Sequence, residues 1–307
     1  SAGREGTAVQ MGGAIADQFT GLFKPDASDR KTLIILGISA GFASIFGTPL
    51  AGALFALEIL YFSKINFKSS ILSFLAAYVA YFTVDFWQVK HTHYNIPVVP
   101  DITISTLAWV IVVGVLFGLT SMLFSRTTHF WGRLFSKMIS YSPLRPFVGG
   151  IILVVAVFFI GTTKYIGLGI PEIIKSFTIP SSNYDFFIKL VCTSFTLGAG
   201  FKGGEVTPLF FIGATLGSAL SVFIPLPIAL LAGMGFVAVF SGATHTPLAC
   251  SIMGIELFGM DSGLFIAISC VLAYFASGSI GIYQSQKVKG AKYHLYQYFK
   301  RSKRVDL

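Results

Sequence analysis

Three long stretches of this 307-residue chain carry no charged side chain. Residues 206–255 contain no Asp, Glu, Lys or Arg, and residues 102–125 and 262–286 are equally free of charge. About 20 apolar residues cross a bilayer as a helix, so the longest stretch has room for more than one crossing. A soluble domain is typically about one quarter charged, whereas this chain is 11% charged. These stretches predict a protein that resides in lipid.

The backbone decides between the two architectures that a bilayer permits. Unpaired peptide groups are costly in hydrocarbon, so spanning segments are helices or closed barrels. Barrel strands alternate over about ten residues, and the uncharged stretches here are longer and continuous. We therefore expect an all-α, polytopic membrane protein. Apolar runs and their Gly and Pro breakers place helices near residues 6–17, 32–46, 49–63, 70–87, 103–136, 147–161, 170–177, 185–199, 207–222, 226–241, 246–259, 262–276 and 284–300.

The basic charge of the chain is concentrated near its C-terminal end. The net charge is +9, and seven Lys or Arg residues against one Asp fall within residues 284–307. Basic residues after a last apolar segment mark the cytoplasmic side. We therefore expect residues 284–307 to form a cytoplasmic helix or tail rather than a nucleic-acid site. The three cysteines lie in apolar runs without ligand spacing, so we expect packing roles, no metal site and no cofactor.

Two blocks of sequence recur about 200 positions apart. "GREGT" at 3–7 is followed by "GGEVT" at 203–207, and "TPLA" precedes both Glu58 and Glu256. Repeated halves built from short, Gly- and Pro-broken helices are typical of transporters that hold their substrate near the bilayer midplane. We expect Glu58 and Glu256 to cap or neutralise helix ends.

The repeat also suggests how the chain is divided. "GLGIPE" at 167–172 precedes the second block, and its counterpart in the first repeat would lie before residue 1. We therefore expect a truncated first repeat. The expected divisions are residues 1–140 for the remainder of the first repeat with connecting helices, 141–283 for the second repeat and 284–307 for the tail.

A glycine-rich turn before a short helix exposes the first amide N–H groups of that helix. These unpaired donors and the positive end of the helix dipole attract anions. If the two repeats are inverted in the membrane, both helix starts can face one point. Glu5 is itself an anion at such a start, so it would compete with the substrate, and protonation would release it. The alternative is that Glu5 satisfies only its own helix start.

These motifs resemble the CLC family of anion channels and anion/proton antiporters. "GREG" at 3–6 is similar to the family signature that carries the external gating glutamate, which implies that role for Glu5. "FGTPLAGALFALE" at 46–58 resembles the helix leading to the dimer interface, which implies a homodimer. "GGEVTP" stands where the signature GxFxP belongs, and "SIGIYQSQ" resembles the stretch whose tyrosine closes the inner side of the anion site, here Tyr283. The implied fold is the CLC-type inverted repeat with broken and tilted helices.

The chain departs from the chloride-handling members at several positions. Thr7 replaces the proline after GREG, Val206 replaces the phenylalanine of GxFxP, and Glu58 is followed by isoleucine instead of a second glutamate. The inner proton-relay glutamate is therefore absent. These departures are similar to the fluoride-specific branch, which consists of bacterial fluoride/proton antiporters. In that branch Glu205, Val206 and Thr207 would line the site, with Thr207 as a hydroxyl donor.

The resemblance implies fluoride export coupled to proton import, by a multi-pass homodimer of the bacterial inner membrane. Its partners would be fluoride or chloride, protons and the lipid bilayer, without nucleic acid. The expected site consists of Glu5 for gating and proton coupling and, along the anion pathway, Gly3, Arg4, Gly6, Thr7, Gly204, Glu205, Val206, Thr207 and Tyr283.

Several alternatives stay open at this point. The chain fits a chloride or nitrate transporter or channel of the same family, or a non-transporting fragment that needs a separate N-terminal half. Local roles also compete: Glu205 as a cap of its own helix, Thr207 as a hydroxyl bonded back within its helix, and Tyr283 as a membrane-interface tyrosine. Without a nucleophile–base set or a phosphate loop in the sequence, we do not expect an enzyme.

Overall fold

The computed structural model of the chain describes residues 1–60, 67–283 and 292. The α-helices in this part are α1 (Glu5–Phe23), α2 (Ala27–Phe46), α3 (Pro49–Leu60), α4 (Phe67–Phe86), α5 (Ile104–Met138), α6 (Leu144–Ile160), α7 (Ile170–Ser176), α8 (Asp185–Gly198), α9 (Val206–Leu220), α10 (Ile228–Thr244), α11 (Pro247–Phe258) and α12 (Gly263–Ala276). A single 3₁₀ turn, Met260–Ser262, precedes α12. The expected all-α fold is confirmed, and the helix predicted over 284–300 lies outside the described residues except for position 292.

Most of these helices are shorter than a bilayer crossing. Within the described residues, α4 with 20 residues and α5 with 35 are long and apolar enough to span a membrane, judged by length and composition. Breaks between the others occur at Gly and Pro. Gly47 ends α2 with a φ of 67°, a backbone conformation that glycine adopts at low cost, and Pro247 begins α11.

Two helices differ from their predicted bounds by five residues or more. α1 continues to Phe23, and the polar residue Asp17 stays within it, where its carboxylate pairs with the Arg30 guanidinium of α2 at 2.7 Å. α2 begins five residues earlier than predicted because the Asp26 side chain accepts a hydrogen bond from the Asp29 N–H at 2.8 Å. An aspartate that caps the first turn of a helix in this way stabilises that turn by about 1 kcal/mol.

The sequence repeat is also a repeat of helix packing. In the first set, α1, α3 and α4 each pack against α2. In the second set, α9, α11 and α12 pack against α10 in the same manner. The two sets meet mainly where α3 packs on α11.

Two glutamates join the sets through reciprocal caps. The Glu58 carboxylate, near the end of α3, accepts hydrogen bonds at 3.1 and 2.9 Å from the first free N–H groups of α11. The Glu256 carboxylate, near the end of α11, accepts bonds from Leu50 and Ala51 of α3 at 2.9 and 2.8 Å. Each carboxylate therefore lies at the positive start of a helix. The expected capping role is confirmed, and each glutamate caps the helix of the other repeat.

The core of the molecule lies around α9 and α10. Helix α10 is buried from Ala229 to Thr244, and α9 is buried from Val206 to Ala219. In α1, by contrast, Gly13 is the one buried residue of 19. The start of α9 is therefore surrounded by other parts of the protein. The start of α1 is more exposed and contacts the start of α9.

Candidate anion site

The two turns that carry Glu5 and Glu205 meet in the structure. The Gly3 N–H donates to the Gly204 carbonyl at 2.6 Å, and the Gly204 N–H donates to the Gly3 carbonyl at 2.7 Å. Helix α1 begins two residues after Gly3 and α9 two residues after Gly204. Two helix starts, each with free N–H groups and a positive dipole end, therefore lie side by side. The expected convergence of the turns is confirmed.

Glycine is required for this approach. A Cβ on Gly204 would lie 2.7 Å from the backbone nitrogen of Gly6, which is closer than real Cβ contacts allow. A Cβ on Gly6 would in turn lie 3.1 Å from the Cα of Gly204. The repeated glycines of the two motifs thus permit backbone to pack against backbone.

A cavity of about 650 Å³ opens beside the paired turns. Its wall includes Gly3, Arg4, Glu5, Thr7 and Thr207 from the predicted site. Three further basic side chains, those of Lys90, His91 and Lys202, also line it. Sequence reasoning missed all three: Lys90 and His91 lie in a loop that the sequence marks only as polar, and Lys202 directly precedes Gly203 without belonging to the repeated motif.

Glu5 lies in the wall of this cavity with its side chain half-buried. Its carboxylate accepts a hydrogen bond from the Arg4 N–H at 3.0 Å, immediately before α1. Glu5 therefore occupies a donor that a small anion at this helix start would use. The side chains of Arg4 and Thr7 are exposed at the cavity.

Thr207 lines the same cavity and has an unused hydroxyl. Its side chain is buried, and within the described residues its Oγ1 has no hydrogen-bond partner. Thr215 on the same helix shows the alternative, because its hydroxyl donates to the Phe211 carbonyl at 2.7 Å. Thr207 is thus not bonded back to its own helix. A buried hydroxyl without a partner costs about 1–3 kcal/mol, which a bound acceptor would recover.

The other predicted residues of the turn that carries Glu205 are buried or half-buried in the protein. Glu205 is the residue before α9, and its side chain caps no amide inside that helix, while its carboxylate accepts a hydrogen bond from its own backbone N–H. Val206 is 2% exposed and packs in the hydrophobic core. Neither this cavity nor the cavity beside Tyr283, described below, is lined by Gly6, Gly204, Glu205 or Val206.

Aromatic rings form the inner wall of the first cavity. Phe210 stacks on Phe236 with ring centroids 4.0 Å apart, and Tyr94 approaches Phe236 at 5.1 Å. Phe46 meets Phe210 edge-on at 5.6 Å. The edges of such rings carry partial positive charge, so this wall is compatible with an anion.

Tyr283 lines a second cavity, of about 750 Å³. Its lining also includes His129 and Arg133 of α5 and the turn that precedes Tyr283. Among the predicted site residues, the structure thus places Tyr283 apart from the wall formed by Glu5 and Thr207. Its polar neighbours His129 and Arg133 were not predicted, since nothing in the sequence links α5 to the Tyr283 turn.

Comparisons with known proteins agree with this arrangement. The sequence profile of the family described as voltage gated chloride channel matches residues 1–278. A chloride/fluoride channel protein of Pseudomonas syringae pv. tomato is 50% identical over 300 residues, which are 96% of this chain and 66% of that protein. The H⁺/Cl⁻ exchange transporter ClcA of Cronobacter sakazakii is 29% identical over 232 residues, 72% of this chain and 49% of the transporter. The chain thus spans about two thirds of its Pseudomonas relative and half of the exchanger.

Solved structures show the same fold. The crystal structure of a CLC-type fluoride/proton antiporter matches with a TM-score of 0.90 and 37% identity, over 94% of this chain and 73% of that one. A slow cyanobacterial Cl⁻/H⁺ antiporter matches with a TM-score of 0.75 and 21% identity, over 97% and 72% of the two chains, and supports the fold alone. The expected CLC fold of an all-α membrane protein is therefore confirmed. With its paired glycine turns and a profile match over residues 1–278, the chain belongs to the voltage gated chloride channel family.

Proposed function

We propose that this chain carries the anion site of a membrane protein that exports fluoride in exchange for protons. The observation that carries the proposal is the backbone pairing of Gly3 with Gly204, which sets two helix starts side by side next to a cavity. The similarity to a protein named as a chloride/fluoride channel and to a fluoride/proton antiporter favours fluoride. The family alone leaves chloride as the second candidate, in line with the exchanger ClcA.

The chemistry of the site suits a small, strongly hydrated anion. Removing the water of fluoride requires short and strong donors in its place. The backbone N–H groups at the starts of α1 and α9 supply such donors, and the free hydroxyl of Thr207 supplies one more. Glycines at positions 3, 6 and 204 keep side chains from covering the backbone.

Glu5 gives this site its coupling to protons. As a carboxylate it accepts the Arg4 N–H and blocks the start of α1. A proton removes its charge and its hold on that donor, so the neutral side chain swings away and fluoride replaces it. Fluoride and the proton then move in opposite directions through one position. In this scheme Tyr283 closes the anion site on the side opposite Glu5. Glu205 is a second carboxylate that can accept the proton.

The proposal extends to the setting of the protein. We place it as a multi-pass protein in a bacterial inner membrane, acting as a homodimer, with residues 284–307 on the cytoplasmic side. The seven basic residues of that segment support this orientation. The division into residues 1–140, 141–283 and 284–307 belongs to the same proposal.

A flux experiment tests the function directly. The protein is reconstituted into liposomes loaded with fluoride or with chloride, and efflux is followed with ion-selective electrodes while a dye reports internal pH. We expect fluoride efflux to exceed chloride efflux and to drive proton uptake. Chloride efflux that equals or exceeds fluoride efflux would instead support the chloride exchanger. Absence of both fluxes would refute transport by this protein.

A further inference from the structure

We propose that Lys189 is a fixed countercharge for the transported anion. Its ammonium group is buried behind the start of α9 and attracts a negative charge at the paired turns without touching it. The attraction increases the affinity of the anion site, so Lys189 is a further residue that determines how tightly fluoride is held. This inference rests on the proposed function, because it concerns the same anion at the same site.

Lys189 is a fully buried cation without an acidic partner. It lies in the second turn of α8, and among the described residues it forms no ion pair. Asp185, one turn earlier, has both carboxylate oxygens occupied, by the Lys164 ammonium at 2.6 Å and the Tyr165 hydroxyl at 2.7 Å. A buried charge is costly unless an opposite charge compensates it, and an ionisable residue inside a membrane protein therefore marks a functional position. The compensating charge for Lys189 has to come from another source.

The immediate contacts of Lys189 hold the ammonium without neutralising it. Nζ donates to the carbonyl oxygens of Gly167 at 2.6 Å and Tyr165 at 3.1 Å. It also lies 5.0 Å from the centroid of the Phe211 ring. Carbonyl oxygens and aromatic faces attract a cation, so these contacts favour the protonated amine. They carry dipoles and no net charge, and the full positive charge remains available to a nearby anion.

Phe211 connects Lys189 with the anion site. It follows Thr207 by one turn of α9, so the two side chains lie on the same face of that helix. Four residues span about 6 Å along a helix. Together with the 5.0 Å between Nζ and the Phe211 ring, this spacing puts the ammonium on the order of 10 Å from the free hydroxyl of Thr207. The charge of Lys189 thus lies within electrostatic reach of an anion at the start of α9.

The region between Lys189 and the anion site is closely packed. Gly167 and Gly169 belong to the turn that precedes α7, and the first residue of α7, Ile170, lines the cavity beside the paired turns. A Cβ on Gly169 would lie 2.5 Å from a carbon of the Phe211 ring, so the turn and the ring leave no room for water between them. Packing without water keeps the local dielectric constant low. With an effective dielectric constant of about 20, a unit charge about 10–12 Å away changes the binding constant of an anion about tenfold.

The exposed lysines of the cavity act differently from Lys189. Lys90 and Lys202 line the cavity beside the paired turns, and both residues are exposed. Water and dissolved ions screen exposed charges over about 8 Å at physiological ionic strength, whereas a buried charge is screened much less. The attraction by Lys90 and Lys202 therefore depends on salt, and the attraction by Lys189 does not. This difference separates the two contributions in an experiment.

Three substitutions at Lys189 separate its charge from its hydrogen bonds. Lys189→Gln keeps an N–H donor for the turn but no charge, Lys189→Met keeps neither, and Lys189→Arg keeps both. In liposomes we expect the half-saturating fluoride concentration to rise about tenfold in both neutral variants and to stay within about threefold of the unmodified protein in the arginine variant. The turnover at saturating fluoride should be retained, because a weakly held anion still leaves the site. The increase should be the same at low and at high ionic strength.

The comparison of the glutamine and methionine variants decides between charge and structure. Lys189→Met leaves two carbonyls without their donor, so its thermal stability in detergent should be lower than that of the glutamine variant. Equal half-saturation in spite of this difference supports the countercharge. A glutamine variant with native half-saturation would overturn it, and so would an increase that disappears in high salt. If the methionine variant does not fold, the glutamine and arginine variants decide between the same two outcomes.

Lys175→Gln is the matched control. Lys175 is exposed in the last turn of α7, so its replacement changes the net charge equally but at a position in contact with solvent. Its half-saturating fluoride concentration should not change, and an equal rise at both positions would reduce the effect to general charge and overturn the inference. Native half-saturation in all Lys189 variants, with intact fluoride flux, would refute only the countercharge. Absence of fluoride flux in the unmodified protein would instead refute the proposed function.

Discussion

The starts of α1 and α9 carry the same motif in different surroundings. The α9 start is buried on all sides, and its glutamate caps no amide of its helix. The α1 start is half-exposed, and the Glu5 carboxylate accepts the N–H of Arg4. The backbone pairing of Gly3 with Gly204 is common to both. The comparison teaches that the two starts share one backbone arrangement, while their surroundings leave one acid half-exposed at a cavity and bury the other start.

The largest expected effect separates the two glutamates. Glu5→Gln removes the titratable group at the half-exposed start, so fluoride-driven proton uptake should fall below detection in liposomes with a pH dye. Glu205→Gln, at the fixed start, should retain measurable proton uptake at a reduced rate. Proton uptake that persists in the Glu5 variant and disappears in the Glu205 variant would reverse our assignment.

The next effect concerns the backbone pairing that both starts share. Gly204→Ala would bring a Cβ to 2.7 Å from the Gly6 nitrogen. Overpacking of this kind costs about 1–3 kcal/mol, so thermal stability in detergent and fluoride flux should both decrease. Gly21→Ala is the matched control, because no atom lies within 4 Å of its added Cβ in α1. That control should be neutral or slightly stabilising, and an equal loss in both variants would argue against the close approach.

A smaller effect tests the free hydroxyl at the fixed start. Thr207→Val removes a donor that has no protein partner among the described residues, so fluoride affinity measured by isothermal titration should fall about tenfold while stability holds or rises. Thr207→Ser should keep the affinity. Thr215→Val removes a hydroxyl that bonds Phe211, and it should leave the affinity unchanged. A stable Thr207→Val protein with normal affinity would exclude the hydroxyl as a ligand.

The smallest effect examines the symmetry of the two sets. Glu58→Gln and Glu256→Gln each weaken a pair of capping bonds of similar length, so each should lower the free energy of unfolding by about 1 kcal/mol. Fluoride flux should persist in both variants. A loss confined to one variant, seen by thermal denaturation, would show that the two caps are not equivalent.

Much of the fold is predictable because its signals are local. Apolar runs and their Gly and Pro breakers locate the helices, and Pro247 begins α11 within a residue of its predicted start. The early start of α2 was also within reach, since Asp26 stands three residues before Asp29 as a capping pattern. Its polar first turn instead looks like a loop, because Asp, Arg and Lys interrupt the apolar run there.

The residues of the site likewise fall into those that the sequence predicts and those that it does not. The turns at Glu5 and Glu205 are evident as a repeat, and their repetition indicates that they converge. Lys90, His129 and Arg133 come from segments that share no motif with the turns, and only packing brings them to the cavities. The reciprocal caps are a similar case. The sequence shows that Glu58 and Glu256 lie near the ends of two equivalent helices. It does not show that Glu58 caps the start of α11 and that Glu256 caps the start of α3.

These reciprocal caps have a consequence for how the protein is made. Leu50 and Ala51 leave the ribosome about 200 residues before Glu256 does, so the start of α3 enters the membrane before its cap exists. Contacts so distant in sequence form slowly, because the intervening chain must close into a loop first. Each half depends on a glutamate of the other half to cap the start of one of its helices, α3 or α11. Assembly in the bilayer therefore finishes only when α11 arrives, and the first half stays provisional during translation until then.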